Sequence, residues 1–171
     1  MESPFARFIT RPWGTWQAIG YGTLAVGLFD AIDAIVFFGL RSGATPMRIF
    51  QSIASGLIGR DAYAGGAGTA LVGLVLHFVV AFGIVSTYML ASGIQPALTR
   101  RPLLYGAVYG VVAYLVMNLV VIPLSAIGTV RFSTPGVING LLIHAALVGP
   151  PSALAAARAA AGWRAAPPRA R

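Results

Sequence analysis

The chain has 171 residues, of which 57% are hydrophobic and only 9% are charged. Soluble domains carry about 25% charged residues, so this composition excludes a soluble enzyme, a disulfide scaffold and a disordered chain. Cysteine is absent from the sequence, which also excludes thiolate metal ligands, cysteine nucleophiles and iron–sulfur clusters. All 12 basic residues are arginine and lie mainly at the ends of apolar stretches, a placement typical of membrane topology rather than of nucleic-acid binding.

Four apolar stretches, each longer than about 18 residues and nearly free of charge, predict four membrane-spanning helices. We expect spans one to four at about 18–40, 68–91, 103–127 and 135–157, within a single all-α domain over 1–157. No clear small-residue cleavage site follows the first stretch, which favours a span over a secretory signal. The fourth span is expected to bend or break at Pro150-Pro151, because consecutive prolines remove two backbone donors. The Arg/Ala/Pro-rich tail, 158–171, is predicted to be disordered.

The arginines also predict the orientation of the spans. The head, the loop between spans two and three, and the tail hold eight of them, whereas the opposite side holds four. Cytoplasmic segments carry the excess of arginine, so both termini are expected in the cytoplasm.

The loop between spans one and two contains a predicted amphipathic helix, at about 46–58, which we call the connecting helix. Thr45-Pro46 is a helix-start signal, an N-cap hydroxyl followed by proline at the first helical position. Apolar residues then recur at helical spacing, and polar residues occupy the other side: Met47, Phe50, Ile53, Ala54 and Leu57 against Arg48, Gln51, Ser52 and Ser55. We expect the helix in the membrane interface with its apolar face toward the acyl chains. A lid over the mouth of the bundle is the alternative.

The two halves of the chain share a pattern. GLVLHFVVA, from Gly73, is similar to GLLIHAALV, from Gly140, and Tyr21-Gly22 aligns with Tyr109-Gly110. This pattern predicts two similar helical hairpins, with chance similarity of apolar segments as the alternative. Small residues allow close helix approach in lipid, and we expect six glycines to serve helix packing: Gly20, Gly27, Gly73, Gly106, Gly110 and Gly140.

Among the polar residues within the predicted spans, five are candidates for a site: Asp30, Asp33, His77, Asn118 and His144. Four of them lie nine or ten residues from the same side of the membrane, and at about 1.5 Å per residue they share one level. An intramembrane carboxylate costs at least about 2.5 kcal/mol, so it is expected to have partners or a function. Hydrogen bonding between helices, a proton or cation pathway, a divalent metal at Asp30, His77 and His144, and a b-type haem between the histidines all fit this pattern.

Three segments carry a resemblance: TPMRIFQSIASGLIGRDAYAGG, GLVLHF and RRPLLYGAVYGVVAYLVMNLVVIPLSAIG. Together they resemble a group of small, uncharacterised bacterial inner-membrane proteins with four spans. The most distinctive parts are the amphipathic loop and the segment around Met117, Asn118 and Pro123. The resemblance implies a multi-pass protein of the bacterial cytoplasmic membrane, and it implies no activity.

Two functions stay open. The leading expectation is a structural or accessory membrane protein, or a subunit of a larger complex, and the alternative is a small proton- or cation-conducting transporter. An accessory subunit should pair its polar groups internally, whereas a transporter should have a water-accessible vestibule reaching the Asp/His level. No catalytic motif is present, so we expect no enzyme and no cofactor. Expected partners are the lipid bilayer and other membrane subunits or further copies of the chain, without nucleic acid.

Overall fold

The computed structural model describes residues 13–129 and 132–165, without the side chains of 163–165. The described residues form helices and turns and contain no strand. Four helices are long and apolar enough to cross a membrane, which confirms the predicted all-α, four-span fold. Span one is Thr15–Ser42, span two Gly66–Ile94, span three Pro102–Leu124, and span four begins at Thr134 and continues as helix to Ala165. The chain is therefore a multi-pass membrane protein.

Local sequence signals explain how span one ends and the connecting helix begins. Gly43 adopts a left-handed conformation with φ 66°, and its N–H caps the carbonyls at the end of span one. The connecting helix is Pro46–Ile58, and the Thr45 hydroxyl accepts a hydrogen bond from the Arg48 N–H at 3.3 Å. The helix start predicted from Thr45-Pro46 is thus confirmed.

One end of the bundle is tightly packed, and we call it the terminal end. The Arg158 guanidinium of span four lies 5.6 Å from the Trp13 ring at the start of span one. A buried alanine-rich face of span four packs there against Ala18, Tyr88 and Met89 of spans one and two. Because alanine side chains are short, these helices approach closely. The opposite end, which carries the connecting helix, we call the cavity end.

The connecting helix packs on the side of span two. A Cβ added at Gly73 would lie 2.6 Å from the Phe50 carbonyl carbon and 3.1 Å from the Ala54 nitrogen, so the two helix backbones touch. The Gln51 amide donates to the Gly66 carbonyl at 3.0 Å, and the Gly56 carbonyl accepts from the Ala126 N–H at 2.9 Å. These bonds fix the helix to the beginning of span two and the end of span three.

This packing corrects the predicted division of faces on the connecting helix. Gln51 and Ser55, which the pattern placed on the polar face away from the apolar one, are buried against the protein. Met47 and Leu57, from the apolar face, are exposed, which agrees with an apolar face turned toward the acyl chains. The physical reason is that a buried side-chain amide needs a hydrogen-bond partner, and the Gly66 carbonyl at the start of span two accepts from Gln51.

Spans three and four each contain one π-helical turn at the level of their polar residues. In span three the turn covers Met117–Val121, directly before Pro123, and in span four it covers His144–Val148, directly before Pro150-Pro151. A proline lacks an N–H and its ring clashes with the carbonyl four residues earlier, and a π turn widens the helix at that point. Span four is therefore not broken at its two prolines.

The end of span four departs from the sequence prediction. Gly149–Ala165 is helical, and Ala159 and Ala160 are buried against the bundle. The prediction of a disordered tail is wrong for 158–165, because small alanines pack well on a neighbouring helix. Residues 166–171 lie outside the described part.

Five of the six predicted packing glycines lie in helix contacts. Gly27 faces the Phe78 ring, Gly140 faces Tyr114, and the other three face the backbone of another helix: Gly73, Gly106 and Gly110. The prediction is wrong for Gly20, which is exposed and has no atom within 4 Å of an added Cβ. Gly149, which was not among the six predicted packing glycines, also lies against the backbone of Gly106. The duplication of the two hairpins stays a prediction.

Candidate functional site

A cavity of about 690 Å³ lies at the cavity end of the bundle. Its walls come from the second half of span one, the connecting helix, and spans three and four. Polar side chains are gathered on this surface, among apolar and aromatic ones: Asp30, Asp33, Asn118, Asn139 and His144, with Arg48 from the connecting helix. The cavity therefore joins the predicted polar level to the surface of the protein.

Asp30 and His77 form a pair between spans one and two. The His77 Nδ1 lies 3.9 Å from the Asp30 Oδ2, which is too long for a direct hydrogen bond and within ion-pair range. The Asp30 side chain is 31% exposed, whereas His77 is buried. Asp30 thus faces the cavity, and His77 lies behind it.

The position of one proton on His77 follows from its second contact. The Nε2 lies 2.8 Å from the Gly27 carbonyl oxygen, and because a carbonyl can only accept, Nε2 carries a hydrogen. In the neutral ring, Nδ1 is then an acceptor, and it faces another acceptor, the Asp30 carboxylate. The remaining ring nitrogen of His77 is thus the one that faces the Asp30 carboxylate.

Asp33 lies one helical turn beyond Asp30 and has a different partner. The Asn139 side-chain amide of span four donates to the Asp33 Oδ2 at 2.8 Å. Asn139 was not among the predicted site residues, although an asparagine five residues before His144 in an otherwise apolar helix was a usable signal. This bond ties span one to span four across the cavity.

Asn118 and His144 reach the cavity from the two π-helical turns. The Asn118 amide donates to the Tyr114 carbonyl of its own helix at 2.9 Å, which leaves its side-chain oxygen as an acceptor. The His144 ring packs edge-on to Tyr114, with centroids 5.3 Å apart. The His144 Nδ1 is buried and has no hydrogen-bond partner among the described residues.

The structure therefore brings the five predicted residues together in one region. Four of them line the cavity: Asp30, Asp33, Asn118 and His144. His77 does not line it and lies behind Asp30. Arg48, which the sequence placed on the polar side of the connecting helix, also lines the cavity and was not predicted as a site residue. Its guanidinium lies 4.4 Å from the Tyr63 ring centroid and donates to the Tyr63 carbonyl at 3.4 Å.

The metal and haem alternatives gain no support from this geometry. Within the described ranges 13–129 and 132–165, no three His, Cys, Asp or Glu side chains form a group that could hold a metal ion. An axial haem ligand needs a free ring nitrogen, and the His77 Nε2 is occupied by the Gly27 carbonyl.

The packed terminal end separates the cavity from the other side of the membrane. The Tyr88 hydroxyl donates to the Leu98 carbonyl at 3.1 Å, and the Tyr109 hydroxyl donates to the Ile84 carbonyl at 2.6 Å. Tyr88 is buried and Tyr109 is half-buried, and both hydroxyls are satisfied by carbonyls of the packed terminal end.

Comparison with known proteins found no matching family model, no similar curated protein and no similar solved structure. Function is therefore inferred from the geometry of the cavity.

Proposed function

We propose that this chain is a small membrane transporter that binds a cation at Asp30 and Asp33 and carries it across the bilayer. The observation that carries this proposal is the cavity of about 690 Å³, which reaches both carboxylates at a level within the spans. A charged group inside a membrane costs at least about 2.5 kcal/mol, so carboxylates kept beside a cavity point to ion binding.

We propose that the Asp30–His77 pair couples the cation to a proton. In the empty site the proton is held on His77, where it balances the Asp30 carboxylate that faces Nδ1 at 3.9 Å. A bound cation at Asp30 takes over that neutralising role, so its arrival releases the proton. One cation is exchanged for one proton, and the charge of the site is unchanged.

A transporter also needs a second state that opens to the other side. The π-helical turns at Met117–Val121 and His144–Val148 lie beside the cavity, and irregular turns of this kind recur at functional sites in helices. We propose that spans three and four change shape at these turns, while the backbone contact of Gly106 with Gly149 keeps them together.

The accessory-subunit alternative requires the polar groups to be paired inside the bundle. Asp33 and Asn139 meet this requirement. Asp30 is 31% exposed at the cavity, and its partner His77 lies beyond hydrogen-bond distance at 3.9 Å. The geometry therefore favours the transporter over the accessory role.

We further propose that the protein lies in the bacterial cytoplasmic membrane with both termini in the cytoplasm. The excess of arginine in the head, in the loop between spans two and three, and in the tail supports this orientation. In that orientation the cavity opens to the periplasm. We propose no enzymatic activity and no resident cofactor, with the lipid bilayer as the constant partner.

A flux assay tests the proposed transport. The full chain is reconstituted in liposomes that contain a pH-sensitive dye, and an outside cation gradient of sodium or 3-phenylpropylammonium is applied. The wild type should raise the lumenal pH for at least one cation, Asp30→Asn should abolish this change, and Asp61→Asn, an exposed carboxylate outside the cavity, should keep it. Wild-type rates equal to those of empty liposomes for both cations, or full activity of Asp30→Asn, would contradict the proposal.

A further inference from the structure

We infer that the ligand of the cavity is a primary organic ammonium ion with an apolar body, bound with its charged group at Asp30. This inference rests on the proposed cation site and specifies the chemical class of its ligand.

The size of the cavity is the first observation. Dehydrated inorganic cations need about six to eight oxygen ligands at close range. The cavity instead has about 690 Å³ of space, within the range of about 300–1,000 Å³ that holds drug-sized organic molecules. A bare metal ion would leave most of this space unfilled, whereas an organic cation fills it.

The apolar part of the lining is the second observation. Five aromatic side chains border the same space: Phe37, Phe38, Tyr63, Tyr114 and Phe132. Aromatic faces attract organic cations and bury apolar carbon at the same time. A ligand with both a positive charge and an apolar body therefore complements this surface better than a hydrated ion.

The formal charge of the described lining favours a cation. Asp30 and Asp33 carry two negative charges and Arg48 one positive charge, so with His144 neutral the sum is −1. The Arg48 guanidinium contacts the Tyr63 ring and donates to the Tyr63 carbonyl, and these two contacts hold it beside the connecting helix. An anionic ligand would instead have to lie beside two carboxylates.

The polar groups that remain free identify the kind of ammonium. Asn118 uses its N–H on the Tyr114 carbonyl, so it offers an oxygen to the cavity. The Asp30 carboxylate is 31% exposed toward the cavity, and both of its oxygens are acceptors. The two Asp30 oxygens and the Asn118 oxygen thus offer three acceptors, and a primary ammonium has three N–H donors. A quaternary ammonium has none and would leave the acceptors unsatisfied.

The test is isothermal titration calorimetry on the full chain in lipid nanodiscs, with empty nanodiscs subtracted. The probes are 3-phenylpropylammonium, its N,N,N-trimethyl analogue, 3-phenyl-1-propanol and 3-phenylpropionate. Loss of a charged hydrogen-bonding partner weakens binding about 10- to 150-fold, so the primary ammonium should bind more tightly than the alcohol by that factor. The trimethyl analogue should bind less tightly than the primary ammonium, and the carboxylate should not bind.

Two pairs of variants separate charge from shape. Asp30→Asn should weaken ammonium binding about 10- to 150-fold and leave binding of the alcohol unchanged. Asp33→Asn is the comparison charge variant, and it should weaken ammonium binding less than Asp30→Asn does. Phe37→Leu keeps an apolar side chain but removes an aromatic face, so it should weaken ammonium binding by about 2- to 30-fold. The matched control Phe82→Leu, on the outer face of span two, should have no effect.

The outcomes distinguish this inference from the proposed function. Equal affinity for the ammonium and the alcohol, or unchanged ammonium affinity in Asp30→Asn, overturns the inferred ammonium ligand. If sodium still drives an Asp30-dependent flux in that case, the proposed transport stands without this ligand class. Ammonium binding that depends on Asp30 but is not accompanied by flux of any cation supports the inference and overturns transport.

Discussion

Replacing Gly73 by alanine should destabilise the bundle by separating the connecting helix from span two. An added Cβ would lie 2.6 Å from the Phe50 carbonyl carbon and closer still to its oxygen. Ordinary carbon contacts begin at about 3.4 Å, so the connecting helix has to move by roughly 1 Å. Such a shift weakens the bond from Gln51 to the Gly66 carbonyl, which is 3.0 Å in length.

The expected cost is that of overpacking, about 1–3 kcal/mol. For a chain of this size each kcal/mol lowers the melting temperature by about 2–4 °C, so a decrease of roughly 2–12 °C is expected. The assay is thermal unfolding of the purified protein in one detergent, followed by circular dichroism.

Gly83→Ala is the matched control within the same helix. Gly83 is exposed and has no atom within 4 Å of an added Cβ. Alanine is favoured over glycine in a helix by about 0.5–1 kcal/mol, so this variant should be as stable as the wild type or slightly more stable. Equal melting temperatures for Gly73→Ala and Gly83→Ala would refute the close docking of the connecting helix on span two.

Three further predictions concern topology, cofactors and the polar pair across the cavity. A C-terminal reporter fusion should be active only in the cytoplasm, and activity only in the periplasm would contradict the proposed orientation. The purified protein should show no haem Soret band and no stoichiometric metal; a Soret band lost in His77 and His144 variants would instead establish a haem site. Asn139→Leu should destabilise the protein by about 1–3 kcal/mol, because Asp33 loses the partner at 2.8 Å, and the double variant with Asp33→Leu should recover most of this loss. A double variant no more stable than Asn139→Leu would argue against the pairing.

The spans and their polar level were predictable because both depend on simple periodic geometry. A helix rises about 1.5 Å per residue, so counting from the ends of apolar stretches placed Asp30, Asn118 and His144 at one depth. The same counting could not reveal the cavity, which depends on how far apart the helices lie at one end. Counting could not predict the hydrogen bond from Asn139 to Asp33 either, since the two residues are far apart in the sequence.

The faces of helices were predicted less well than their positions. A pattern of small residues indicates that a helix has a packing face, but it does not say which neighbour uses it. Gly20 lies on such a stripe and is exposed, whereas Gly149 lies outside the selected set and touches Gly106. For Gln51 the pattern indicated only a polar face opposite the apolar one, and it could not show that the Gly66 carbonyl gives this amide a buried partner.

The most direct test of the account is whether water reaches the level of Asp30 inside the bundle. The chain has no cysteine, so single cysteines report accessibility without background. Ala34→Cys places a thiol on the cavity lining one turn from Asp30, and Ile32→Cys places one at nearly the same depth on the exposed apolar face of span one. A charged, membrane-impermeant methanethiosulfonate applied to the periplasmic side should modify Ala34→Cys rapidly and Ile32→Cys slowly. Equal, slow modification of both variants would contradict a water-filled cavity at the carboxylates.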